Sequence, residues 1–205
     1  VHPPAGDVRL SAPEKMSMAV VREFVLSRAD WIRHHQGRIQ AQPVVAQPSW
    51  CEGERHPFLG CDYPLRLVTK PARPRVSFAA PEGWVIQSRP NSSASQRAEQ
   101  VEQWYRSQLL TILAPLSERW QAQMNVEVSV IKVRKMKTRW GSCTPSSGAI
   151  RINLELVKKP RQCIEYVLVH ELVHLLERGH NQRFYRIMDH YQPDWKACRS
   201  LLRGY

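Results

Sequence analysis

Long apolar runs are missing from this 205-residue chain. No stretch approaches the roughly 18 uninterrupted apolar residues of a membrane-spanning helix, so no span is expected. The opening residues, VHPPAGDVRL, lack the charged-then-apolar layout of a secretory signal. Together the two absences set a cytoplasmic location as the expectation. Cysteine is sparse and irregular: Cys51, Cys61, Cys143, Cys163 and Cys198 include no C-x-x-C pair. A disulfide framework or a cysteine-built zinc cluster is a poor reading of that pattern. Acidic residues also thin out. From Lys132 to Arg161, Lys132, Arg134, Lys135, Lys137, Arg139, Arg151, Lys158, Lys159 and Arg161 face only Glu155.

That local excess sits within a net charge of +12. It favours polyanions or acidic partners, so nucleic acid bound through 132–161 is a candidate partner. No nucleic-acid-binding motif accompanies it, and a solvated basic face accounts for the same charge. Hydrophobic residues make up 42% and charged ones 23%, the balance of an ordinary soluble globular protein with a real core. The oligomeric state is left open.

The chain reads as α+β. Val8–Leu10 alternates like a short strand. Met18, Val21, Phe24, Val25, Ala29, Trp31 and Ile32 then give helical spacing from Lys15 to about Gln40, opened by Ser11 or Pro13-Glu14. His34 and His35 are adjacent, diverge by about 100° on a helix, and make a poor ligand pair. Pro43 to Trp50 reads as a linker. ERHPFLG, DYPLRLV, Arg75–Phe78 and Gly83–Gln87 read as four short antiparallel strands. A long helix follows from Ala94 to Met124, capped by Asn91-Ser92-Ser93, with Pro115 inside it. Val126–Val133 alternates as a strand, Gly141 pivots a turn, and Ala149–Leu154 returns. Pro160 opens the next helix; two more cover Asn181–Tyr191 and Asp194 to about Arg203. Two domains are expected: 1–90, a helix with a small antiparallel β subdomain, and 91–205, carrying the chemistry.

That chemistry centres on His170-Glu171-Leu172-Val173-His174, with His180 beyond. Residues i and i+4 share a helix face, so His170 and His174 aim two imidazoles at one point. Zn²⁺ takes nitrogen ligands tetrahedrally, and a catalytic site leaves one position for water. Glu171 is placed to take that water's proton as general base. One zinc per chain is expected, with His180 completing the set. A continuous helix would carry His180 out of reach, so Gly179 is expected to end it in the left-handed conformation. Cys163 lies two turns from His170 and is too far to share the metal.

These segments resemble the YgjP-like metallopeptidase domain family, of zincin type. The resemblance covers most of the chain. It is sharpest in R-W-G-S-C from Arg139, G-A-I-R-I-N-L-E-L, Y-V-L-V-H-E-L-V-H-L, H-N-Q-R-F-Y and P-D-W ending at Trp195. It implies a zincin-like core, a small antiparallel or mixed sheet packed on helices around the H-E-x-x-H helix. It implies zinc on His170, His174 and His180, Glu171 as base, and a peptide or unfolded protein as substrate. Similarity to SprT-like metalloproteases, which act on DNA-bound proteins, connects with the basic charge by analogy only. The resemblance also implies that Ala149–Leu154 is an edge strand bordering the cleft. Trp140, Gly141, Ser142, Ile150, Ile152 and Asn153 would then wall it. Glu177, Asp189 and His190 remain alternative third ligands, and Glu177 stands where metzincins have glycine.

An oxyanion needs a further electrophile, for which Tyr185, Arg183 and His190 are candidates. Two other readings stay open: a non-enzymatic nucleic-acid-associated module with a structural zinc, and a zinc hydrolase of a non-peptide amide.

Overall fold

A computed structural model describes residues 7–40 and 48–203. The chain divides into two compact units, Val1–Gln47 and Pro48–Tyr205. The division falls at the expected linker, of which 43–47 lie outside the described residues. It does not fall at 90.

In the first unit one expected helix is two, α1 (Met18–Ser27) and α2 (Ala29–Gln40). Ser27 Oγ donates back to the Phe24 carbonyl at 2.8 Å, and Arg28 leaves helical geometry at φ −108°. Such back-bonding competes with the helical ladder and ends it there. Ser17, rather than Ser11 or Pro13, caps α1 by accepting from the Val20 N–H. Val8–Leu10 is irregular, not a strand.

The second unit begins with the four expected strands: β1 (Arg55–Phe58), β2 (Cys61–Thr69), β3 (Arg75–Ala79) and β4 (Gly83–Ser88). Their order is β1-β2-β4-β3. The sheet is mixed rather than antiparallel, because the β3–β4 hairpin inserts β4 beside β2, where the two run parallel. Its apolar face explains why 48–90 does not form a domain with the N-terminal helices. Phe58, Phe78 and Trp84 pack on Trp104 and Tyr105 in edge-to-face and tilted pairs, with centroids 4.7–6.4 Å apart. Both partners belong to α3 (Ala94–Met124). Burying that much aromatic surface fixes the sheet to the helix.

Helix α3 has the bounds expected of it. Ser93 and Gln96 form a reciprocal capping box, and Asn125 ends it left-handed at φ 50°. Val101, Tyr105, Leu109, Leu113, Leu116, Trp120 and Met124 bury one stripe. The strand expected at 126–133 is β5 (Val130–Arg134). It starts late because the Val126 and Val128 N–H groups bond back to the Gln121 carbonyl and side chain, finishing the helix.

A second mixed sheet carries β5, β6 (Gly141–Thr144) and β7 (Ala149–Asn153) in the order β5-β7-β6. A short 3₁₀ turn over Leu154–Lys158, not anticipated from the sequence, leads to α4 (Arg161–Leu176). Helices α5 (Gln182–Tyr191) and α6 (Trp195–Leu201) complete the unit. Helix α4 packs against β6, β7, α3, α5 and α6. It is therefore buried nearly all round, with Cys163, Ile164, Tyr166, Val167, Leu168, Val169, Leu172 and Val173 in the core. The architecture is the expected α+β, a small mixed sheet packed on helices. Among the described residues no helix is long and apolar enough to cross a membrane.

Candidate metal centre

Helix α4 presents His170 and His174 one turn apart, and its end decides where His180 goes. The helix stops at Leu176 because Glu177 turns extended, at φ −147° and ψ 114°. Gly179 is not in the left-handed region that the sequence suggested. Glu177 does the turning, and its carbonyl then faces back to accept from His174 Nδ1 at 3.2 Å. A histidine held through one ring nitrogen has its other nitrogen oriented for a metal.

Three ligand-capable nitrogens, one each from His170, His174 and His180, lie within 4.8 Å of one another. The Nε2 atoms of His170 and His180 are 3.0 Å apart. Two nitrogens on one tetrahedral zinc, each about 2.0–2.1 Å from it, would be separated by about 3.4 Å. The set therefore fits a zinc-sized ion. Phe184, fully buried on α5, lies 4.7–4.9 Å from all three imidazole centroids and fixes their rotamers from below. Burial, followed by the neighbouring His174, His180 and Arg199, lowers the His170 pKa to about 3. His180 is lowered too, again by burial first. Both rings are neutral near pH 7, the form that binds metal.

The alternative ligands are engaged elsewhere. Glu177 pairs with Arg183 at 3.7 Å, Asp189 accepts from the Trp195 indole at 2.8 Å, and His190 packs on Tyr191. No cysteine joins the histidines among the described residues. Cys163 and Cys198 are buried free thiols, and burial raises the Cys143 thiol to about 11.

Glu171 is 5% exposed. Burial pushes its carboxyl up to about 8, against opposing pulls from Arg139 and the Cys143 backbone N–H. Gly141 makes room for it. A Cβ at that position would stand 2.5 Å from Glu171 Oε1 and 2.8 Å from its Cγ. Glycine is needed here for the approach of a carboxylate, not for the turn assigned from the sequence.

The histidines and Glu171 open onto a cleft of about 730 Å³ bordered by Trp140, Gly141, Ser142 and Cys143. Its wall is β6, which pairs with β7 on one side only. The expectation that Ala149–Leu154 is the edge strand is thus corrected. Strand β7 lies between β5 and β6, and Ile150, Ile152 and Asn153 are fully buried. Ile150 and Ile152 are core. Asn153 clamps the loop before β6: its Nδ2 donates to the Met136 and Arg139 carbonyls, and its Oδ1 accepts from the Met136 and Glu155 N–H groups.

Of the three oxyanion candidates, Tyr185 alone borders the site, lining a side cavity of about 190 Å³ beside His180. Arg183 is 66% exposed on its pair with Glu177, and His190 lies at the far end of α5. Two neighbours went unread. Tyr166 precedes His170 by one turn, a spacing visible in the sequence. Arg199 arrives on α6 through tertiary packing, which no local pattern announces.

A family model described as the YgjP-like metallopeptidase domain matches residues 1–205. No curated protein matches. Two solved structures are similar over part of the chain. The metallopeptidase zymogen of Pyrococcus abyssi abylysin is 20% identical, covering 42% of this chain and 85% of its own, with a TM-score of 0.38. The metallopeptidase zymogen of Methanocaldococcus jannaschii jannalysin is 18% identical, covering 42% and 88%, with a TM-score of 0.37.

Proposed function

The chain belongs to the YgjP-like metallopeptidase domain family, and from that premise we propose a zinc-dependent peptidase using His170, His174 and His180 as ligands and Glu171 as general base. The observation that carries this reading is the convergence of three imidazoles beside a buried carboxyl in an open cleft. Bound there, zinc would supply Lewis acidity toward a peptide carbonyl and toward water.

The chain's own residues do the rest. Glu171 accepts a proton from the attacking water and delivers it to the leaving amine. Phe184 and the Glu177 carbonyl keep the imidazoles oriented. An extended substrate lies along the unpaired edge of β6, where main-chain hydrogen bonds give affinity with little sequence selectivity. Tyr166 and Tyr185 border the histidines, whereas Arg183 and His190 do not, and a tyrosine hydroxyl there steadies the developing oxyanion.

The structural-zinc reading needs a fourth protein ligand, and the ligand group among the described residues holds three histidines alone. Elemental analysis and casein hydrolysis decide between the two. One zinc per chain and zinc-dependent cleavage are expected, both lost in His180→Ala. Zinc that survives His180→Ala and is lost in Cys163→Ser would support the structural reading instead.

Nucleic acid is an ancillary partner in this proposal. Lys132 and Arg151 are register neighbours on β5 and β7, and Lys132, Arg134 and Arg151 are all exposed. Binding to duplex or single strands that falls steeply with salt is expected. No binding at low salt would remove the idea.

A further inference from the structure

We infer that the side cavity beside the three histidines is a subsite for a carboxylate anchored by Arg199, so that the peptidase favours substrates carrying a carboxylate next to the bond cleaved. The inference rests on the peptidase reading and names its substrate class.

Charge is the first ground. Arg139, Arg178, Arg199 and Arg203 line the main cleft, and Glu171 is the single acidic residue among its lining. None of these four arginines takes part in an ion pair among the described residues. Elsewhere in the same unit Arg106, Arg119 and Arg183 each have a carboxylate partner. Four unpaired guanidiniums around one cleft give it a positive field that draws in anions.

Geometry is the second. Arg199 borders both the main cleft and the side cavity of about 190 Å³, the latter shared with Tyr166, His170, His180, Tyr185 and Trp195. The guanidinium carbon stands 5.7 Å from the Trp195 ring centroid. Trp195 is itself stacked between Tyr166 and Tyr185, at 6.4 and 5.5 Å. Three aromatic rings in near-parallel array restrict where the guanidinium can point, and cation–π attraction holds it to Trp195. A planar, positioned guanidinium with hydrogen-bond donors free is suited to bidentate capture of a carboxylate. Lysine would offer only a point charge there. The cavity adjoins His170 and His180 directly, so a carboxylate in it belongs to a residue flanking the scissile bond.

Two sources present this chemistry: an internal Asp or Glu side chain, and the C-terminal carboxylate of the substrate. Fluorescent peptides distinguish them when bound to the zinc-loaded Glu171→Gln protein, in which turnover is slowed enough to measure binding. The set comprises a Glu-containing peptide amidated at its C-terminus, its Gln isostere, and the Gln isostere with a free C-terminus. The Glu peptide, the free-acid peptide or both are expected to bind about tenfold more tightly than the amidated Gln peptide. Whichever does identifies the source. Adding Arg199→Gln should bring the ratio near one, whereas Arg199→Lys should keep part of it. Equal affinities in the parent protein, no measurable binding of any peptide, or a preference intact in Arg199→Gln would overturn the inference. The parent ratio needs no further variant to fold. Casein cleavage by wild-type protein without carboxylate preference would sink this inference and leave the peptidase reading standing. Selective binding with no cleavage of any substrate would do the reverse.

Discussion

Glu171 illustrates how much one side chain depends on the residue facing it. Its carboxyl sits where a Cβ on Gly141 would be, 2.5 Å from Oε1. Gly141→Ala, made on β6 and not on the helix that carries His170 and His174, therefore has to displace a buried carboxyl. Displacing a catalytic group by about 1 Å costs about 100-fold in rate. We expect Gly141→Ala to lose about that much casein hydrolysis while keeping one zinc per chain. Near-wild-type hydrolysis would show that the carboxylate has room to move. The H-E-x-x-H spacing made the convergence of His170 and His174, with Glu171 beside them, legible in the sequence because a helix translates spacing into direction. The reason for Gly141 was not legible, since its requirement comes from a residue thirty positions away. Arg199 was hidden for the same reason.

At the level of elements, the sequence told more about which segments are regular than about how they are joined. The bounds of α3 follow from its own cap and stripe, both local signals. The position of β7 between β5 and β6 does not, because strand order is a long-range property, and β7 was therefore mistaken for the edge. Complete burial of Asn153 is a consequence of that central position. Three of its four side-chain hydrogen bonds hold the loop that carries Arg139 and Trp140 to the cleft, and the fourth caps the 3₁₀ turn at Glu155. Asn153→Ala leaves buried backbone groups unpaired, at a cost of about 3 kcal/mol. In thermal unfolding this should lower the midpoint by about 10 °C. A shift below about 2 °C would mean that the loop is held by other contacts. The turn between β1 and β2 likewise braces the start of α4. The Leu59 and Gly60 N–H groups donate to the Val157 and Lys158 carbonyls, and a Cβ on Gly60 would meet Pro160 at 2.9 Å.

Across the whole molecule, the sheet of β1–β4, α3 and the second sheet share one hydrophobic core, with α4 among its most buried members. His170 and His174 on α4 and the segment carrying His180 are thus tied to the folded state, and a metal bound by all three would stabilise it. At free zinc a thousandfold above its dissociation constant, that linkage adds about 4 kcal/mol. Chelation should lower the thermal midpoint, zinc should restore it, and His174→Ala should abolish the zinc-dependent increment. A midpoint indifferent to zinc would contradict a site built from these residues. The most direct test of the central claim is the casein-cleavage rate of zinc-loaded Glu171→Gln, measured beside its zinc content. One zinc per chain with a rate reduced by about 10²–10⁴-fold is the result predicted for a lost general base. Cleavage at the wild-type rate with zinc in place would contradict it.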